Sequence, residues 1–105
     1  MQLTERICKK GEVNVKITAE RSELPFYDSE DEALIDVGVR YTIDMIKKIV
    51  ERREEITLYD AEKHFMIKKP YRHHVLFGWR CGDKVNITYR IDEKKIAIKF
   101  KCKIL

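Results

Sequence analysis

The side chains best able to do chemistry gather late in the chain. The run Lys68-Lys69-Pro70-Tyr71-Arg72-His73-His74 is followed by Arg80, Arg90, Lys99, Lys101 and Lys103. Cations collected on one surface attract phosphates, and a tyrosine among them can stack on a base or sugar. Lys69, Tyr71, Arg72, His74, Arg80, Arg90, Lys99, Lys101 and Lys103 are therefore the expected contacts to nucleic acid or another polyanion. A plainer reading covers the same residues: lysines on the outer face of a last strand keep it solvated and guard an edge. On that reading the chain is a protein-interaction or homo-oligomeric accessory module, its basic face left in water or set against an acidic protein.

The other reactive types assemble into less. Neighbouring residues on a strand point to opposite faces, so His73 and His74 placed on a strand do not share a metal. Neither they nor His64 and Cys81 show the spacing of a zinc site. A cysteine nucleophile needs a base and an orienting group within hydrogen-bond reach. Cys81 near His73 or His74 is the one arrangement to name, and a turn residue is its simpler role. The chain has no phosphate-binding loop, dinucleotide fingerprint, nucleophile elbow or paired-carboxylate motif. The expectation is a non-catalytic binding protein with no cofactor and no metal.

Size and composition bound the scaffold. A chain of 105 residues has room for one core and one domain, spanning 1–105. Its 44% hydrophobic content and two prolines belong to a compact protein, not a disordered one. No apolar run approaches the roughly 20 residues that span a bilayer. Met1 to Arg6 lacks the apolar stretch of a secretory signal, so the expected compartment is the cytoplasm and no membrane partner is expected. Cys8, Cys81 and Cys102 are odd in number and far apart, which fits reduced thiols. The net charge of +4 hides an asymmetry, because residues 1–63 are acidic on balance and the remainder strongly basic.

The elements that must position these groups follow from apolar periodicity. Val85 to Ile91 and Ile96 to Ile104 alternate apolar and polar residues, the signature of strands with one buried face. A turn at Glu93-Lys94 sets Ile91 opposite Ile96, Tyr89 opposite Ile98, Ile87 opposite Phe100 and Val85 opposite Cys102. A one-residue slip places lysines against apolar groups, so the register is well specified. Asn86, Thr88, Arg90, Lys99, Lys101 and Lys103 then share the polar face. Val75 to Arg80 is expected to complete a three-stranded meander through the turn Cys81-Gly82-Asp83-Lys84. A loop with Gly82 at positive φ sends Val75, Phe77 and Trp79 to the core and leaves His74 and Arg80 on the basic face; a tight Gly82-Asp83 turn reverses this. The core placement is favoured because a small core needs bulky aromatics.

Residues 2–20 read as a first hairpin turning at Lys9-Lys10-Gly11, with Ile7 against Val13 and Leu3 against Ile17. Glu5 falls on the apolar side of its strand, which suggests an edge strand protected by a charge. After a connecting loop over 21–28, Ser29 and Glu32 fit a capping box. Acidic residues at Glu30 to Glu32 and basic ones at Lys47, Lys48, Arg52 and Arg53 suit the two ends of a long helix. Its apolar face is expected to combine Leu34, Gly38, Tyr41, Met45 and Ile49 with Ile35, Val39, Ile46 and Val50. The competing reading takes Ile35 to Ile43 as a strand, since those residues also alternate. Ile56 to Lys69 is either a helix starting at Thr57, with Leu58, Ala61, Phe65 and Met66 inward, or a hairpin about Ala61-Glu62-Lys63; composition favours the helix. The fold class is α+β: the N-terminal hairpin and the C-terminal meander form an antiparallel sheet against one long helix, with the second short helix as the favoured form of the ambiguous piece.

Overall fold

The computed structural model describes residues 1–24, 31–52 and 55–105. It is an α+β protein, and the described residues form six antiparallel strands in one sheet, one long helix and one short one. The strands are β1 (Gln2–Ile7), β2 (Glu12–Glu20), β3 (Glu55–Thr57), β4 (Phe77–Arg80), β5 (Asn86–Ile91) and β6 (Lys95–Ile104), and the helices are α1 (Glu32–Arg52) and α2 (Leu58–His64).

β6 is the spine of the sheet because it is ten residues long and alternates apolar and polar side chains throughout. One edge pairs with β2 over its whole length, from Glu12↔Lys103 to Glu20↔Lys95. The other edge pairs first with β5, where Ile91 faces Ile96, Tyr89 faces Ile98 and Ile87 faces Phe100, as the alternation requires. β5 is only six residues long and stops short of the end of β6. There β4 takes over, pairing Phe77 with Ile104 and Gly78 with Lys103. The expected meander is altered in this respect: β4 joins β6 and β3, not β5. The turn after Arg80 lets β4 diverge. Asp83 folds back on it, donating its N–H to the Arg80 carbonyl (2.9 Å) and accepting the Arg80 N–H on its side chain (2.7 Å).

The first hairpin has the expected register, with Ile7 facing Val13 and Leu3 facing Ile17. Its turn is a 3-10 segment, Lys9–Gly11, in which both Lys10 and Gly11 take positive φ. Val13, Val15, Ile17 and Ala19 of β2 and Ile96, Ile98, Phe100 and Cys102 of β6 are buried on one face of the sheet. Each such aliphatic side chain withdrawn from water contributes about 1.5–3 kcal/mol. Among the described residues, the opposite face carries no helix.

α1 covers the β5 side of the buried face, and the helical form of Ile35 to Ile43 is the one observed. Ile35, Val39, Ile43, Ile46 and Val50 point inward together with Thr42, whose hydroxyl donates to the Gly38 carbonyl. Tyr89 of β5 donates its hydroxyl proton to Asp36, and Arg40 donates to the same hydroxyl at 3.1 Å, fixing the helix to the strand. One expected apolar stripe meets the core only at its C-terminal end: Leu34 and Tyr41 are exposed, and Ile49 packs against the core. The inward arc is centred one position further round the helix, on Ile35, Val39 and Ile46. The capping box at Ser29, the acidic Glu30 and the basic Arg53 lie outside the described residues.

The ambiguous segment resolves as the short strand β3 followed by α2. Thr57 caps α2 by accepting the Asp60 N–H on its hydroxyl oxygen at 3.1 Å. Leu58, Ala61 and Phe65 are buried as the helical spacing predicts. Met66 is not: it takes a positive φ where the chain leaves the helix, and its side chain is exposed. Phe65 meets Phe100 edge-on at 5.6 Å, which seats α2 on the centre of β6.

Phe77 and Trp79 lie in the core, as favoured, and Trp79 donates its indole N–H to the Lys101 carbonyl at 3.0 Å, whereas Val75, expected beside them, is exposed on the 3-10 segment Arg72–Leu76 that precedes β4. Gly78 between them is required for packing. A Cβ there would lie 2.2 Å from the Ile56 carbonyl oxygen and 2.8 Å from the Thr57 Cα, both backbone atoms of β3. Cys102 is buried in the core as expected, and burial, assisted by the charge of Glu62, pushes its thiol up to about 12.

Candidate functional site

The uncovered face of the sheet is built by register. Side chains of alternate residues project from it, and the pairings of β1, β2, β6 and β5 align them in rows across all four strands. One row reads Thr4, Lys16, Lys99, Thr88, and the next reads Arg6, Asn14, Lys101, Asn86. Together they line a shallow groove of about 460 Å³. Four cations are thereby interleaved with amides and hydroxyls, all of which can bond to phosphate oxygens.

The charges in this groove are incompletely balanced from within. Lys16 stands directly opposite Lys99. Cross-strand like-charge pairs are unfavourable, yet among the described residues no carboxylate lies within ion-pair distance of Lys16, Lys99 or Arg6. Lys101 has only a long contact to Glu12, at 3.6 Å.

The structure thus divides the nine residues expected from sequence. Lys99 and Lys101 lie in the groove. Lys103 is on the same face but is held by Asp83 at 2.8 Å, and the Lys103 ammonium and the Arg80 N–H overcome the effect of burial to keep that carboxyl below its usual range. Arg90 borders the groove and is paired with Asp92 at 3.2 Å. Arg80 is exposed at the end of β4, opposite Glu55. Lys69 and Arg72 are exposed on the segment joining α2 to β4, on the helix-bearing side of the sheet. Tyr71 and His74 are corrections. Tyr71 is half-buried on that side, and His74 is wholly buried, so neither reaches the basic groove. Arg6 and Lys16 complete the groove and were not expected. Their alignment with Lys99 depends on β2 pairing with β6 across some eighty residues of chain, which no local pattern announces.

His74 is buried because residues Arg72–Leu76 form a 3-10 helix, not the start of a strand. At about three residues per turn, adjacent side chains diverge by about 120° instead of 180°. The rings of His73 and His74 therefore lie on one side, with centroids 4.4 Å apart. Both reach Glu5, which projects from the covered face of β1. His73 Nε2 is 2.6 Å from Glu5 Oε1, and His74 Nε2 contacts the same oxygen. On its other side His74 Nδ1 donates to Glu62 Oε2 of α2 at 2.5 Å, and the second Glu62 oxygen accepts the Tyr71 N–H at 3.3 Å.

Burial opposes charge on His74, but its hydrogen bonds to Glu62 and Glu5 outweigh that and raise its pKa above the usual histidine value. The reciprocal effect holds for Glu5, where partial burial acts upward and the bonds from His74 and His73 prevail, lowering it. Burial and the nearby charges of Glu62, Glu5 and Glu23 raise Tyr71. Glu5, His73 and His74 offer one donor atom each within 4.8 Å of one another, the geometry of a potential metal site. Two traces of this cluster stand in the sequence. Glu5 breaks the apolar side of β1 between Leu3 and Ile7, and Glu62 occupies the inward stripe Leu58, Ala61, Glu62, Phe65 of α2.

No protein-family model, no curated protein and no solved structure matches this chain.

Proposed function

We propose that the protein is a non-catalytic binding protein whose uncovered sheet face engages the phosphate backbone of a nucleic acid. One observation carries the reading: Lys16 is set opposite Lys99, with Arg6 and Lys101 in the adjoining row, and the described carboxylates leave the first three unpaired. A polyanion lying along the groove neutralises charges that otherwise repel one another. The core positions of Phe77 and Trp79 leave no aromatic side chain on the two rows to stack on bases. Recognition is therefore of phosphates, with little dependence on sequence.

The test is titration of short single- and double-stranded oligonucleotides at low salt, repeated as salt rises. Neutralising three or four phosphates gives a slope of log K against log salt of about −2 to −4. Binding that is absent at low salt, or that ignores salt, removes this reading.

A second reading, that of a homo-oligomeric module, rests on α1. Leu34, Val37 and Tyr41 are 62%, 63% and 68% exposed on one side of the helix. The N-terminal end of this helix is flanked by Asp31 and Glu32, and its C-terminal end by Lys48 and Arg52. A second copy packed antiparallel brings acidic end to basic end as it covers the stripe. Sedimentation equilibrium decides it: a dimer abolished by Val37→Lys supports the pairing, and a monomer at all concentrations refutes it.

A further inference from the structure

The cluster beneath β1 is more ordered than an ion pair needs. Two imidazole nitrogens, both Nε2, converge on one carboxylate oxygen, Glu5 Oε1. A second carboxylate, Glu62, holds the far nitrogen of the inner ring. It is itself immobilised by the Tyr71 N–H and by complete burial. Tyr71 and Phe77 wall the histidines with aromatic rings, centroids 5.2 and 5.9 Å from that of His74.

From this arrangement we infer that Glu5, His73 and His74 form a three-donor site for a divalent transition-metal ion of the zinc class, with Glu62 orienting His74 from behind. The donor set of two imidazoles and one carboxylate suits such ions, and neutral nitrogens directed at a common point are what they bind. The Glu62 contact supplies the outer partner that fixes which nitrogen of a ligating histidine is free: with Nδ1–H given to Glu62, the Nε2 lone pair faces the ion. Donors around a tetrahedral ion at ordinary zinc bond lengths lie about 3.3 Å apart. The Glu5 oxygen occupies the point on which both Nε2 atoms converge, 2.6 Å from that of His73, so the Glu5 carboxylate, which is partly exposed, must swing back from both rings to admit the ion.

The outer side of the site is open, since the His73 side chain is 48% exposed, so the fourth position on the ion faces water. The ion ties residue 5 to residues 73 and 74, holding an edge strand to the helical layer.

The experiment uses the full chain, freed of metal with a chelator and titrated with Zn²⁺ against a chromophoric competitor, with Co²⁺ as the spectroscopic probe. One equivalent of zinc binds at micromolar concentration or tighter, and Tm rises with added zinc. His73→Ala and Glu5→Gln alter partly exposed side chains and preserve the circular dichroism spectrum. Each weakens zinc by more than the about 10- to 100-fold that loss of an outer partner costs. The cobalt form shows ligand-field bands without a thiolate charge-transfer band. The assignment is overturned if the chain takes up no zinc, which makes the cluster a hydrogen-bonded clamp alone. Equal zinc affinity in wild type and both variants, or a thiolate band implicating Cys8 or Cys81, also overturns it.

Discussion

The two faces of this sheet treat charge in opposite ways. On the covered face, Glu62 and His74 are fully buried and both are matched: Glu62 by His74 and the Tyr71 N–H, and His74 by Glu62 and Glu5. On the uncovered face, Lys16 and Lys99 sit opposite each other in water without a described acidic partner. Burial explains the contrast. An unpaired charge costs several kcal/mol inside a protein and little where water can solvate it. The covered charges are therefore tied to stability, and the uncovered ones are free to be tied to a ligand.

The largest effect that can break this comparison comes from separating the inner pair. Glu62→Ala leaves His74 buried with one carboxylate and the Tyr71 N–H with none, so it should destabilise the fold by about 3–5 kcal/mol. Chemical denaturation of metal-free protein reads this directly. Lys99→Ala, by contrast, should stay within about 0.5 kcal/mol of wild type. Equal effects at the two positions mean that the faces do not differ as argued.

Next in size is a change on the uncovered face that moves binding and stability in opposite directions. Lys16→Glu turns a like-charge cross-strand pair into an opposite one, worth about 0.2–1 kcal/mol in favour of the fold. The same change repels phosphates, and oligonucleotide affinity at low salt should fall by about tenfold or more. If affinity holds while stability rises, the groove is a solvated surface and not a binding one.

How far each face was legible in the sequence follows from the range of the contacts that make it. Strand alternation and local turns fixed the register of the first hairpin and of β5 with β6, because a slip there buries lysines. The Thr57 cap and the inward Leu58, Ala61 and Phe65 were equally local. The groove was half legible: Lys99 and Lys101 come from one strand, but Arg6 and Lys16 join them through a pairing between chain ends. The buried cluster was not legible, because it takes one residue from each of β1 and α2 and two from a 3-10 helix that periodicity read as strand. Its carboxylates were visible only as violations, one acid on each of two apolar stripes.

A smaller effect tests how the buried charge is delivered. Thr57→Ala removes the side-chain acceptor for the Asp60 N–H and should cost about 1 kcal/mol by loosening the first turn of α2, which carries Glu62. Denaturation should register this loss while oligonucleotide affinity stays unchanged. A parallel loss of affinity joins two faces that the comparison holds apart.

The smallest effect concerns a lysine of the uncovered face that does have a partner. Lys103 donates to Asp83, and with the Arg80 N–H it holds the Asp83 carboxyl below its usual range in spite of burial. A carboxyl lowered on folding contributes stability above its unfolded value, near 3.9, and loses it as pH falls through the lower folded value. Wild type should therefore exceed Asp83→Asn in stability by a small, constant margin at neutral pH. The margin should begin to shrink below about pH 4 and vanish in stronger acid. The pair is partly exposed, so added salt should narrow the margin at neutral pH as well. Releasing Lys103 also adds a fourth unpaired cation beside the groove. Asp83→Asn should then bind oligonucleotides slightly more tightly and with a steeper salt dependence than wild type, which no purely structural role for the lysine predicts.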